Sequence, residues 1–150
     1  MMKNKIQWRD VVGYEGLYKV SNDGQVMSCA RVVQHPNNQF AKTQTYPDRI
    51  MKLKKNKHGY MEVKLSKNGY RRDWMVHRLV AFAFIEQVDG KPYIDHIDGN
   101  KANNTVKNLE WVSMAENNQR AYDTGLKARI HAGQFLKGVP LALQPNLRRE

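Results

Sequence analysis

The sequence predicts an α+β fold of small antiparallel sheets and two short helices, on three observations. Two pairs of short strand-like runs each flank a glycine-bearing turn, Asn22-Asp23-Gly24 and Lys67-Asn68-Gly69. The stretch from His77 to Ile85, HRLVAFAFI, is apolar almost throughout. Ser113-Met114-Ala115-Glu116 has the form of a capping box, in which the serine caps a helix and the glutamate reaches back.

Taken in order, Leu17 to Ser21 and Gln25 to Ser28 flank the first turn, whose glycine can take positive φ, and so read as a β-hairpin. Ahead of it, Trp8 reads as a packed core aromatic, followed by a turn at Gly13-Tyr14-Glu15-Gly16. Residues 30 to 48 lack periodicity and contain Pro36, Asn37, Asn38 and Pro47, so they read as a linker or a ligand-ordered loop. Strands are expected at Ile50 to Lys54, Tyr60 to Ser66 and Tyr70 to Val76. In the middle one, Met61, Val63 and Leu65 alternate with Tyr60, Glu62 and Lys64, giving one core face and one wet, basic face. His77 to Ile85 reads as a short buried helix, with a buried strand as the alternative. Two further apolar runs, Tyr93-Ile94 and Leu109 to Val112, enclose the Asn-rich loop from Asp98 to Asn108. From the capping box a helix should run to about Thr124, ended by Gly125 as a left-handed C′ residue. Residues 126–150 form a basic tail without clear periodicity.

Charge narrows the function. The 150-residue chain carries 25 Lys and Arg against 14 Asp and Glu, a net +11. From Lys42 to Arg78 eleven basic residues face three acidic ones, and Tyr60, Tyr70 and Trp74 are interleaved with them. Such a segment suits a nucleic-acid backbone. Membrane binding is disfavoured, since no basic amphipathic helix appears and no run approaches the ~20 apolar residues of a span. One cysteine, Cys29, excludes an internal disulfide and a cysteine-rich zinc site, and fits a reducing, cytosolic setting.

The chemistry is expected around Asp95-His96 and Asn117. Consecutive strand residues face opposite ways, so Asp95 and His96 can serve one site only where the strand bends, and Asp98-Gly99 supplies a bend. The capping box puts Asn117 in the first helical turn, where the dipole favours a phosphate. Asp95 and the Asn117 amide are hard oxygen donors of the kind that hold Mg²⁺ together with water and phosphate. Imidazoles ordinarily titrate near pH ~6.5, which suits His96 as general base toward an attacking water.

The ordered series Val76-His77-Arg78-Leu79-Val80-Ala81, Asp95-His96-Ile97-Asp98-Gly99-Asn100, Asn103-Asn104, Asn108 to Val112 and Glu116-Asn117 resembles the HNH homing endonucleases of phages. Trp8-Arg9-Asp10, Gly13 through Asn22, and Gly24 resemble the nuclease-associated modular DNA-binding domain often fused to them. The resemblance implies a ββα-metal core with His96 as the first motif residue and Asn108 as the tether of the loop between the two strands. It places Asn117 where many members carry a last histidine. A neutral amide there favours Mg²⁺ or Mn²⁺ over metals that prefer imidazole.

Several residues also have plainer readings. Asp98 and Asn100 suit the turn, Asn118 a solvated helix face, and His77 a structural or supporting role. Arg78 and Arg120 could clamp phosphate or form surface ion pairs. His35, His58 and His131 read as solvated, and Trp111 as a core anchor. The expectation is therefore a DNA-contacting module over residues 1–55, a catalytic domain over 56–125 and a tail over 126–150. Lys52, Lys54, Lys55, Lys57, Arg71, Arg72, Arg78 and Arg120 would contact double-stranded DNA. The activity expected is a site-preferring, homing-type DNA nickase, monomeric, using Mg²⁺ or Mn²⁺, phage-encoded and acting in a bacterial cytoplasm. The alternatives are a DNA-binding protein with a degenerate nuclease site and an RNA-binding accessory protein.

Overall fold

In the computed structural model, residues 5–35, 37, 39–40 and 42–123 are described. The expected Gly125 cap, His131 and the tail lie outside them. The N-terminal half opens with β1 (Trp8–Asp10), β2 (Tyr18–Ser21) and β3 (Val26–Ser28), an antiparallel meander. Gly24, at φ +88°, turns the chain between β2 and β3 as its sequence demands. Next come β4 (Arg31–Gln34) and β5 (Thr43–Tyr46), a separate two-stranded antiparallel ribbon. This corrects the reading of residues 30 to 48 as structureless. Neither strand buries a residue fully, so no alternating apolar face marks the ribbon in the sequence.

The strand expected at Ile50 to Lys54 is two pieces serving two sheets. β6 (Arg49–Ile50) adds to β3, and β7 (Lys54–Lys55) pairs with β8 (Met61–Lys67). Between them Met51 and Leu53 pack on the core as the chain crosses over. β8 and β9 (Tyr70–Met75) form the expected hairpin around Asn68, at φ +51°, and Gly69, at φ +79°. Val63 and Leu65 of β8 are buried and Lys64 is exposed, as the alternation requires.

The ambiguous apolar segment is a helix, α1 (Val76–Phe84). Val76, Leu79, Val80 and Ala83 recur at helical spacing and face the core. Then follow β10 (Tyr93–His96), one 3₁₀ turn at Val106–Asn108, β11 (Leu109–Val112) and α2 (Met114–Asp123). The capping box forms as expected: Glu116 N–H donates to Ser113 Oγ and Ser113 N–H to Glu116 Oε2, both at 3.1 Å.

One core joins both halves. Val11, Tyr18, Val20 and Val26 meet Val63, Leu65, Val76, Leu79, Val80 and Leu109. Burying one such aliphatic side chain contributes ~1.5–3 kcal/mol. The shared core, rather than the two-residue strands, therefore holds the sheets together. Polar ties cross the same seam: Ser66 N–H donates to the Tyr18 hydroxyl at 3.1 Å and Trp74 Nε1–H to the Tyr14 hydroxyl at 3.0 Å. Trp111 is the expected core anchor, 5% exposed and edge-on to Phe82. Trp8 is not: it sits half-buried on the edge strand β1, and Tyr18 fills the core instead. His35 also differs from its solvated reading, because the ribbon half-buries it and leaves Nε2 covered.

Candidate active site

β10 and β11 are antiparallel, with Asp95 opposite Glu110 and His96 opposite Leu109. β10 ends at His96 and the chain turns at once, Gly99 at φ +75° returning its N–H to the His96 carbonyl at 2.8 Å. The loop that follows has little apolar content and is held by side-chain amides. Asn108 Nδ2 donates to Asp98 Oδ1 (2.9 Å) and to the Asn103 carbonyl (2.8 Å), while its Oδ1 accepts from Asp98 N–H (3.0 Å). Asn103 and Asn100 N–H also donate to Asp98. Those bonds, led by the one from Asn103, hold the Asp98 carboxyl below its usual pKa. Asp98 and Asn100 thus shape the turn, as their plainer reading had it.

Asp95, His96 and Asn117 line a single cleft of about 340 Å³, together with Tyr60, His77, Arg78, Gly99 and Lys101. His96 is 6% exposed, and its Nε2 lies 2.8 Å from Asn104 Oδ1. The His77 ring stands edge-on to it at 5.1 Å and Tyr60 tilts over both. His77 Nδ1 is buried without a partner. Burial first, then the neighbouring His96 and Arg78, lower its pKa to about 4, so His77 is neutral at neutral pH. Lys101 lies 4.7 Å from the Tyr60 ring centre and donates to the His58 carbonyl at 3.0 Å.

Asp95 Oδ2 accepts from Arg120 Nη1 at 2.6 Å, and Arg120 also pairs with Glu110. The Asp95 contact leads in raising the Arg120 pKa, so this arginine stays charged. The structure therefore sets Arg120 against two carboxylates, where the sequence left phosphate clamping and ion pairing both open. Asn117 sits exposed in the first turn of α2, and Asn118 beside it is half-buried. Two hard oxygen donors, the Asp95 carboxylate and the Asn117 amide, thus share the cleft. Among the described residues, no three His, Cys, Asp or Glu converge into a cage. This donor set fits a cation that keeps water and substrate oxygens among its ligands, such as Mg²⁺ or Mn²⁺.

Of the basic residues expected at DNA, only Arg78 lines the cleft. Lys52, Lys54, Lys55, Lys57, Arg71 and Arg72 are exposed away from it. The β8–β9 register puts Arg71 opposite Ser66 and Arg72 opposite Leu65, so the two arginines face opposite sides of the sheet. Arg72 lies over the Trp74 ring at 4.4 Å. Sequence reasoning assigned no site role to Asn104, Lys101 or Glu110, although Asn104 and Glu110 both stood in the recognised series, and it placed Tyr60 only on the wet face of its strand among the basic residues.

An antiparallel hairpin ending in Asp-His, followed by a capped helix bearing Asn in one cleft, defines a ββα nuclease-type site. The family comparisons agree. A NUMOD4 motif matches residues 7–66 and an HNH endonuclease model residues 75–119. The DNA endonuclease I-HmuI of Bacillus phage SP01 is 37% identical over 132 residues, 88% of this chain and 67% of that protein. An uncharacterized HNH endonuclease of Acanthamoeba polyphaga mimivirus is 35% identical over 100 residues, 67% of this chain but 26% of its own length. A solved structure described as DNA binding and cleavage by the HNH homing endonuclease I-HmuI matches with TM-score 0.60 and 37% identity, over 79% of this chain and 59% of that one. The chain belongs to the HNH homing endonuclease family.

Proposed function

We propose that this protein is a divalent-metal-dependent DNA endonuclease that nicks one strand at preferred sites, acting as a monomer in the cytoplasm of a phage's bacterial host. The observation that carries the reading is the meeting of Asp95, His96 and Asn117, from β10 and α2, in one cleft with Arg78 and Lys101. The related phage protein is named a DNA endonuclease, which supports the same substrate here.

In this reading His96 takes the proton from the attacking water, and neutral His77 packs against its ring. Arg78 and Lys101 hold the scissile phosphate by charge, helped by the positive end of α2. Asp95 and Asn117 would hold the cation, which when bound supplies charge to stabilise the phosphate and the departing 3′ oxygen. The exposed lysines at 52, 54, 55 and 57, with Arg71 and Arg72, grip the DNA backbone rather than read bases. A chain with one Asp-His pair at this site cuts one strand per visit.

Supercoiled plasmid tests this directly. With Mg²⁺ or Mn²⁺ the first product should be open circle, formed in proportion to enzyme, and EDTA should abolish it. His96→Ala should slow cleavage ~10²–10⁴-fold with DNA binding nearly intact. Full activity in EDTA would overturn the metal, and linear product without an open-circle stage would overturn the nickase. The Arg120 contact on Asp95 favours a second reading, a DNA-binding protein that does not cut. Binding without open-circle formation under either metal would decide for that reading.

A further inference from the structure

The catalytic loop leans on the turn between β2 and β3 of the N-terminal sheet, and that contact leads to His96. Asn104 is 4% exposed and lies inside the loop between β10 and β11. The turn between β2 and β3 presses against it. A Cβ added at Gly24 would stand 2.9 Å from Asn104 Cβ, closer than real side chains pack, and a tight 3.2 Å from its carbonyl oxygen. Two residues earlier, the Asn22 carbonyl accepts from Val106 N–H at 2.9 Å, so turn and loop are bonded as well as packed.

On its other side, Asn104 Oδ1 lies 2.8 Å from His96 Nε2. An amide oxygen only accepts, so the imidazole proton in this pair belongs on Nε2. Nδ1 then keeps the lone pair. The His77 and Tyr60 rings flank the same imidazole and limit its tilt.

We propose that Asn104 is a positioning residue that fixes the tautomer and orientation of His96, and that the Asn22–Gly24 turn of the N-terminal sheet holds Asn104 in place. The proposal rests on the reading of His96 as the group that accepts the proton, because a base works only when its lone pair faces the water. It gives the N-terminal module a part in cleavage apart from any DNA contact: it braces the catalytic loop.

Long-range ¹H–¹⁵N spectra of the full-length protein, recorded where the imidazole is neutral, report the tautomer directly. The parent protein should carry the His96 proton on Nε2. Asn104→Ala should lose that preference, while Asn104→Asp, which retains an acceptor, should restore it. Cleavage by Asn104→Ala should fall ~10–100-fold in kcat, the scale seen when an outer hydrogen-bond partner is removed, with little change in KM for DNA. In a His96→Ala background, Asn104→Ala should cost nothing further. Gly24→Ala should reproduce the altered His96 signals while remaining folded by circular dichroism.

A His96 proton on Nδ1 in the parent, an unchanged tautomer in Asn104→Ala, or an equal loss of rate in the His96→Ala background would each overturn the positioning role. Unchanged His96 signals in a folded Gly24→Ala would remove the turn from it. Cleavage by His96→Ala at the full rate would instead overturn the reading of His96 as the base, whatever the tautomer shows.

Discussion

Two ribbons in this molecule have the same architecture and opposite fates. β4–β5 and β10–β11 are both two-stranded antiparallel pairs with four registered residues on each strand. The first buries none of its residues fully, whereas the second buries His96, Leu109, Trp111 and Val112. An isolated two-stranded ribbon is marginal in water and needs a partner layer. β10–β11 has one, since α1 and α2 pack on it and Trp111 Nε1–H donates to the Ile85 carbonyl at 3.3 Å. β4–β5 relies on its own ladder, with Arg31 stacked 5.9 Å from the Tyr46 ring. The proposed mechanism needs Asp95 and His96 held to a fraction of an ångström, which the packed ribbon can do.

The largest expected effect breaks the packed ribbon. Trp111→Ala removes a buried indole from between β11 and Phe82 and should cost ~3–5 kcal/mol, read as a shift in the urea midpoint. A loss under ~1 kcal/mol would show that helix packing is not what holds β10–β11.

A second effect comes from acid. The fold lowers the His77 pKa from 6.5 to about 4, so it favours the neutral imidazole. The stability at stake is fully present above pH 6.5 and declines as pH falls toward about 4, by about 3 kcal/mol. Thermal melts at pH 7 and pH 4.5 should differ less in His77→Leu than in the parent protein. Equal differences would show that the burial of His77, beside His96 and Arg78, does not set the acid response.

The smallest effect belongs to the exposed ribbon. Thr45→Ala, on a fully exposed strand, should change global stability by no more than ~0.5 kcal/mol. Amide exchange should separate the ribbons at the same time: β4–β5 amides should exchange through local opening, and those of β10–β11 near the global limit. Equal protection in both would erase the contrast.

By itself the sequence determined what lies within a few residues along the chain. The Ser113–Glu116 box set the start of α2, and with it the place of Asn117. Val63 and Leu65 set the buried face of β8, and Gly24 and Gly69 set the hairpin turns. Local chemistry of this kind repeats at periods of two or 3.6 residues, or depends on one backbone angle, so it is legible in one dimension. The recognised series added Asp95, His96 and Asn108, because an ordered set of residue types outlasts the details of packing. Only the tertiary structure decided that Arg120 meets both Asp95 and Glu110, that β4–β5 forms without an apolar face, and that Gly24 leaves room for Asn104 behind His96. The Arg120–Asp95 and Gly24–Asn104 contacts join residues far apart in the chain through polar or very small side chains, and the ribbon, though more local, buries no apolar face. No hydrophobic period announces such a contact, and its energy exists only once the shared core has brought the two segments together.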